Sequence, residues 1–162
     1  MLSLIQKDDV WRYLSAPQQD LILEGKFLID IVRPHRFKDY SFIVFPYAKT
    51  YEGYLKQLFL DVGFIRHEDY ISDHFRVGKY LSPHMMGRLG DKSVYAQIRE
   101  RTTDDLAQSI WHIWKKCRNQ VIHYYPHNLK RVTYDEARDM IDDILNTMSN
   151  AYRELKRLEY RI

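Results

Sequence analysis

The chain has a single cysteine, Cys117, which excludes an internal disulfide and a cysteine-rich zinc site and fits a reducing compartment. Long apolar runs are missing too. No stretch approaches the roughly 20 apolar residues of a membrane span, and the opening MLSLIQKDDVWRYL has no run long enough for a signal peptide. The expectation is a cytoplasmic protein with no membrane contact. None of the six glycines has P-loop or dinucleotide-binding spacing, so no Gly-rich phosphate loop is predicted. Charge of one sign is scarce as well: 25 Lys and Arg against 22 Asp and Glu give a net charge of +3, so any nucleic-acid contact must come from a local patch. There is no repeat, no low-complexity tract and no linker long enough to separate two domains.

What is present suits one ordinary core. The 162 residues are 45% hydrophobic and 14% aromatic, enough for a single domain. Thirteen tyrosines against seven phenylalanines point to broad, partly wet contact surfaces, because the ring packs while the hydroxyl seeks a partner.

The periodicity predicts an all-α bundle. Residues 8 to 14 read as a short helix stopped by Ser15-Ala16-Pro17. A second helix starts at Pro17, with Leu21, Leu23, Phe27, Leu28, Ile31 and Val32 as its apolar positions, and ends at Arg33-Pro34 because a residue before proline is pushed out of the helical region. Val44, Tyr47, Ala48, Tyr51, Leu55, Leu58 and Val62 recur at steps of three and four, a helical stripe. Pro46 either kinks that helix or sits in its first turn, and residues 41 to 45 read equally as a short strand. Residues 63 to 103 read as short helical pieces joined by loops, one of them starting at Ser82-Pro83. A strong helix runs from Thr103 to about Tyr124, with Leu106, Ile110, Ile113, Trp114, Cys117, Val121 and Tyr124 on one face and Pro126 ending it. Thr133 and Glu136 form a capping box for the last helix, where Ala137, Ile141, Ile144, Met148, Ala151, Leu155 and Leu158 make a heptad stripe suited to a bundle face.

One stretch stands out, CRNQVIHYYPH at residues 117 to 127. On a straight helix, at about 100° per residue, Arg118 and His123 project about 140° apart. His123 then lies near His112, Lys116 and Asn119, and Arg118 lies beside Trp111. A shared site needs either a helix that unwinds around residues 119 to 123 or a second copy supplying the missing partner. The plain structural alternative is an arginine covering apolar surface with its methylenes and a histidine interacting with the helix C-terminus.

Arg118-Asn119-Gln120-Val121-Ile122-His123 resembles the R-x4-6-H motif of HEPN-domain ribonucleases in its RNxxxH form. Together with YAKTYEGYLKQLFLDVGF, the segment IWHIWKKCRNQVIHYYP looks most like the HEPN domain of RNase LS-type toxins of bacterial toxin–antitoxin systems, over roughly residues 40 to 150. The resemblance implies an HEPN-like bundle with a long C-terminal helix, in which residues 1–38 are an N-terminal helical extension and 39–162 the core. It also implies a homodimer that acts on RNA without a metal or other cofactor, its two motifs meeting across a two-fold axis. His123 would act as general base or acid, and Arg118 would hold the scissile phosphate. Lys49 and Glu52, three apart on one face, would add positive charge and orient Arg118 or His123; the alternative for them is a solvated ion pair. The expected products are a 2′,3′-cyclic phosphate and a 5′-hydroxyl, and the expected role is a toxin or phage-defence effector. The chain is shorter than full-length toxins of that kind, so a toxin with an antitoxin partner and a free-standing relative both stay open.

Asn119, Lys116, Tyr124 and Tyr125 are candidate RNA contacts, the tyrosines as stacking surfaces. A metal site is not expected, since Pro126 separates His123 from His127 and no acidic third ligand is near in sequence. Asp142 and Asp143 are expected to be solvated. The competing function class is a non-catalytic helical module that binds a protein or nucleic acid.

Overall fold

The residues 41 to 61 make the helix against which the others pack, because apolar side chains occupy most of its circumference. Numbered in chain order, the helices are α1 (Asp9–Tyr13), α2 (Ala16–Ile31), this central α3 (Ser41–Asp61), α4 (His67–Ile71), α5 (Val77–Tyr80), α6 (Met86–Leu89), α7 (Val94–Arg101), α8 (Asp104–Ile113), α9 (Gln120–Ile122) and α10 (Tyr134–Lys156). Short 3₁₀ turns at Pro83–Met85 and Gly90–Lys92 flank α6. These elements come from a computed structural model that describes residues 9–123, 126 and 131–158, with Asn119 and Gln120 described in their backbone alone. Among the described residues there is no strand, and no helix is long and apolar enough to cross a membrane.

All seven stripe positions from Val44 to Val62 are buried. Residues 41 to 45 belong to α3, which settles the choice between strand and helix, and Pro46 sits beyond its first turn. Without an amide hydrogen, Pro46 leaves the Phe42 carbonyl short of one helical bond.

The second helix docks through a glycine. Gln18 lies against Gly53 and Gly25 against Tyr47, so α2 runs antiparallel to α3. A Cβ at Gly25 would stand 2.5 Å from Tyr47 Cε2, so the missing side chain is what lets the two backbones approach. The face carrying Ile22 and Gly25 is therefore buried, while Leu23, Phe27 and Ile31 are exposed, Phe27 to 61%. Three of the six apolar positions read from the sequence thus lie outside. Val10, Leu14 and Ile22 share one continuous core with the rest of the chain.

Thr133 caps α10 as a capping box: its amide donates to Glu136 Oε2 at 2.8 Å and its hydroxyl accepts from the Glu136 amide at 3.2 Å. The whole heptad series from Ala137 to Leu158 is buried. The described tyrosines serve both the core and partly exposed surface. Tyr47, Tyr51 and Tyr54 on α3 are fully buried; Tyr51 donates to the Ile110 carbonyl at 3.1 Å and Tyr54 to that of Met148 at 2.8 Å. These bonds satisfy buried hydroxyls and tie α3 to α8 and α10. The Tyr47 hydroxyl has no partner among the described residues, and burial raises its pKa.

The α2–α3 contact gives a direct check. Gly25→Ala is expected to lower the unfolding free energy in urea by about 1–3 kcal/mol through overpacking against Tyr47. Gly87→Ala, where a Cβ meets nothing within 4 Å, should leave it unchanged or raise it by up to about 1 kcal/mol.

Candidate active site

The helix that carries the RNxxxH motif is not a straight α-helix. Thr103 caps it, its hydroxyl accepting from the Leu106 amide at 3.2 Å, and α8 runs regularly to Ile113. From Trp114 to Asn119 it widens into a π-helix, and α9 then closes it with one short α turn. A π turn bonds five residues apart instead of four, so it rotates everything beyond it relative to the straight wheel. The sequence offered unwinding around residues 119 to 123 as one of two routes to a shared site; the irregularity lies about one turn earlier.

Packing around Trp114 accompanies the widening. A Cβ at Gly78 would stand 2.1 Å from Trp114 Cη2, so the indole rests on bare backbone of α5. On its other side Trp114 stacks on Trp111, with centroids 5.6 Å apart and planes at 10°. The Trp114 Nε1 hydrogen has no acceptor among the described residues, a local cost of about 1–3 kcal/mol that the ring contacts must offset. Tyr51 donates to Ile110 just before the wide segment starts.

Two residues singled out in the sequence come together here from 66 positions apart. Arg118 Nε donates to Glu52 Oε2 at 3.0 Å, with the two side chains 24% and 26% exposed. The Arg118 guanidinium also lies 5.3 Å from the centroid of the Trp114 ring. Glu52 and the indole face thus hold the guanidinium on two sides, a charge-assisted bond plus a cation–π contact. Among the described residues its two terminal nitrogens make no hydrogen bond, so the planar fork stays available to an anion.

The other candidates are distributed around this pair. Lys49 is exposed on α3, and Glu52 pairs with Arg118 instead of with Lys49. His123 is exposed just past α9. Lys116 turns away to α10, where its ammonium meets Asp143 Oδ2 at 2.8 Å, and that hydrogen bond raises its pKa. This removes Lys116 from the surface around Arg118. Asp143, its side chain still 42% exposed, is thus ion-paired as well as solvated, while partial burial raises the pKa of Asp142. Tyr124, Tyr125 and the side chain of Asn119 lie outside the described residues, as does His127.

Cys117, next to Arg118, is buried, and burial pushes its thiol up to about 12, which excludes it as a thiolate nucleophile near neutral pH. Among the described residues no group of three or more His, Cys, Asp or Glu side chains is arranged to hold a metal ion. An open cleft of about 600 Å³, lined by Arg101, Asp105, Ser109, Asn150, Glu154 and Arg157 among others, lies toward the start of α8 and includes none of the candidates.

Sequence reasoning missed Tyr51, Gly78 and Trp114 as supports. Trp114 was detectable, since it stands four residues before Arg118, the spacing at which helix side chains meet. Comparison with known proteins returns no match among family models, curated proteins or solved structures.

What the arrangement offers chemically is an oriented guanidinium on a rigid helix, with a nearby lysine on the same α3 face. The Glu52–Arg118 interaction is measurable by a double-mutant cycle of Glu52→Gln and Arg118→Gln in urea unfolding. A coupling energy of about 1 kcal/mol, shrinking as salt rises, is the expected result; additive single effects would mean that the pair does not form in solution.

Proposed function

We propose that the chain is a homodimeric, metal-independent endoribonuclease of HEPN type. What carries the reading is the bond between Arg118 and Glu52, since it joins the two segments on which the resemblance rests. In this reading the terminal nitrogens of Arg118 grip the scissile phosphate, and Glu52 fixes the guanidinium through Nε so that the fork faces substrate. Lys49 adds positive charge beside that phosphate. One His123 takes the proton of the ribose 2′-hydroxyl as its oxygen attacks phosphorus. The bond to the 5′-oxygen breaks, and the His123 of a second subunit delivers a proton to it. The products are a 2′,3′-cyclic phosphate and a 5′-hydroxyl, and the reaction needs no cofactor.

A homodimer supplies the geometry because an exposed histidine at a helix end can meet its two-fold mate without sharing a helix face with Arg118. A cytoplasmic role as a toxin restrained by an antitoxin protein, or as a phage-defence effector, follows from the same resemblance. A second reading has its own observation. The outward row Leu23, Phe27 and Ile31 on α2 suits a non-catalytic module that docks a protein partner.

Cleavage of mixed RNA substrates in EDTA separates the two. Wild type should cut, leaving 2′,3′-cyclic phosphate ends, while His123→Ala and Arg118→Ala, each folded by circular dichroism, should lose at least about 100-fold in rate. Equal activity in wild type and His123→Ala would sink the assignment, and loss of cleavage on chelation would point to a metal mechanism instead.

A further inference from the structure

The outward strip of α3 reads Phe42, Phe45, Lys49, Glu52 and Lys56, in steps of three and four, so these side chains share one face. It is the face that α3 does not bury. Phe42 and Phe45 are exposed large hydrophobics, Phe45 to 47%, and Phe42 also packs against Phe37 and Tyr40. Arg118 joins the strip at Glu52, in its middle. Lys49 and Lys56 stand about one helical turn, ~5 Å, to either side. Neither lysine forms an ion pair among the described residues, unlike Lys116 with Asp143 and Lys156 with Asp61. Beyond Lys56 the positive charge continues. Lys56 Nζ lies 5.7 Å from the Phe75 centroid, Phe75 stacks on Tyr80 at 4.5 Å, and Lys79 Nζ lies 5.6 Å from the Tyr80 centroid.

We infer that this strip is a track for single-stranded RNA, laid along α3 across the site. The inference rests on the ribonuclease reading for the identity of the polyanion and extends it to the form of the substrate. Lys49, Arg118, Lys56 and Lys79 meet successive backbone phosphates, and Phe45, with Phe42 behind it, stacks an unpaired base at the end nearer Lys49. Charge selects the occupant: the carboxylate named on the strip, Glu52, is taken up by Arg118, and a row of cations complements phosphates. The two exposed rings suit bases that are free of a duplex, because every unpaired base offers a flat face. A duplex hides those faces, so strand form becomes the specificity determinant.

The test is fluorescence anisotropy in EDTA, in a His123→Ala background, with a short labelled oligouridine and with an RNA duplex of equal length. Oligouridine should bind more tightly than duplex. Lys56→Gln and Lys79→Gln should each weaken it and reduce the slope of log K against log salt by about 0.7, with Lys56→Arg restoring both. Phe45→Ala should cost about tenfold, and Phe45→Trp should retain binding. Unchanged affinity and slope in the lysine variants would overturn the track, as would equal binding of duplex. So would a Phe45→Ala protein that turns from dimer to monomer on sizing while each protomer binds as before, because the strip would then be a subunit contact. If wild type never cuts RNA yet these variants lose oligouridine binding as described, the track stands and the ribonuclease reading falls. If wild type cuts and the track variants cut the same RNA with the same KM, the track falls alone.

Discussion

Two consecutive residues of the central helix hold the segment on which the site depends. Tyr51 points inward and bonds the Ile110 carbonyl, and Glu52 at its edge bonds the Arg118 guanidinium. One contact is buried and the other is half-exposed, so they do different things. An unmet buried hydroxyl costs about 1–3 kcal/mol, which makes the Tyr51 bond a condition of packing α8 against α3. The half-exposed ion pair is worth little to stability, about 1 kcal/mol or less, but it sets the direction of a guanidinium. Stability and orientation thus come from neighbouring positions on a helix whose other sides are fixed by Gly25 of α2 and by α10. The wide turn from Trp114 to Asn119 fits this: it sets the indole of Trp114 onto the bare backbone at Gly78 and beneath the arginine.

Local patterns in the chain were readable and tertiary ones were not. The helix start at Thr103, the cap at Thr133, the α3 stripe and the heptads of α10 depend on side chains a few residues apart, and all appear where the sequence puts them. The inner face of α2 depends on which side permits close approach. That is decided by a glycine meeting Tyr47, and counting apolar residues favours the opposite side. The π-helix escaped for a similar reason. A wheel assumes constant pitch, whereas the pitch here answers to a tryptophan that needs a glycine in a distant helix. Lys116 looked free until Asp143, on an element 27 residues away, took it up.

The candidate site shows the same division. Arg118, Glu52 and Lys49 were nameable from their types and from the family resemblance, but their grouping is a property of the packing. The carboxylate came to the arginine, not to the lysine next to it. The outward strip of α3 was legible in principle, since Phe42, Phe45, Lys49, Glu52 and Lys56 are as regular as the buried stripe behind them. A half-polar strip carries little weight in a search for the core, and it acquires meaning only once Arg118 is seen to sit on it.

The central claim is that Tyr51 and Glu52 act together on the widened segment. Amide hydrogen exchange of wild type, Tyr51→Phe and Glu52→Gln tests it most directly. Faster exchange confined to residues 110–122, with the core of α10 still protected, is the predicted result. Unchanged exchange across 110–122 in both variants, or a uniform increase throughout the chain, would contradict it.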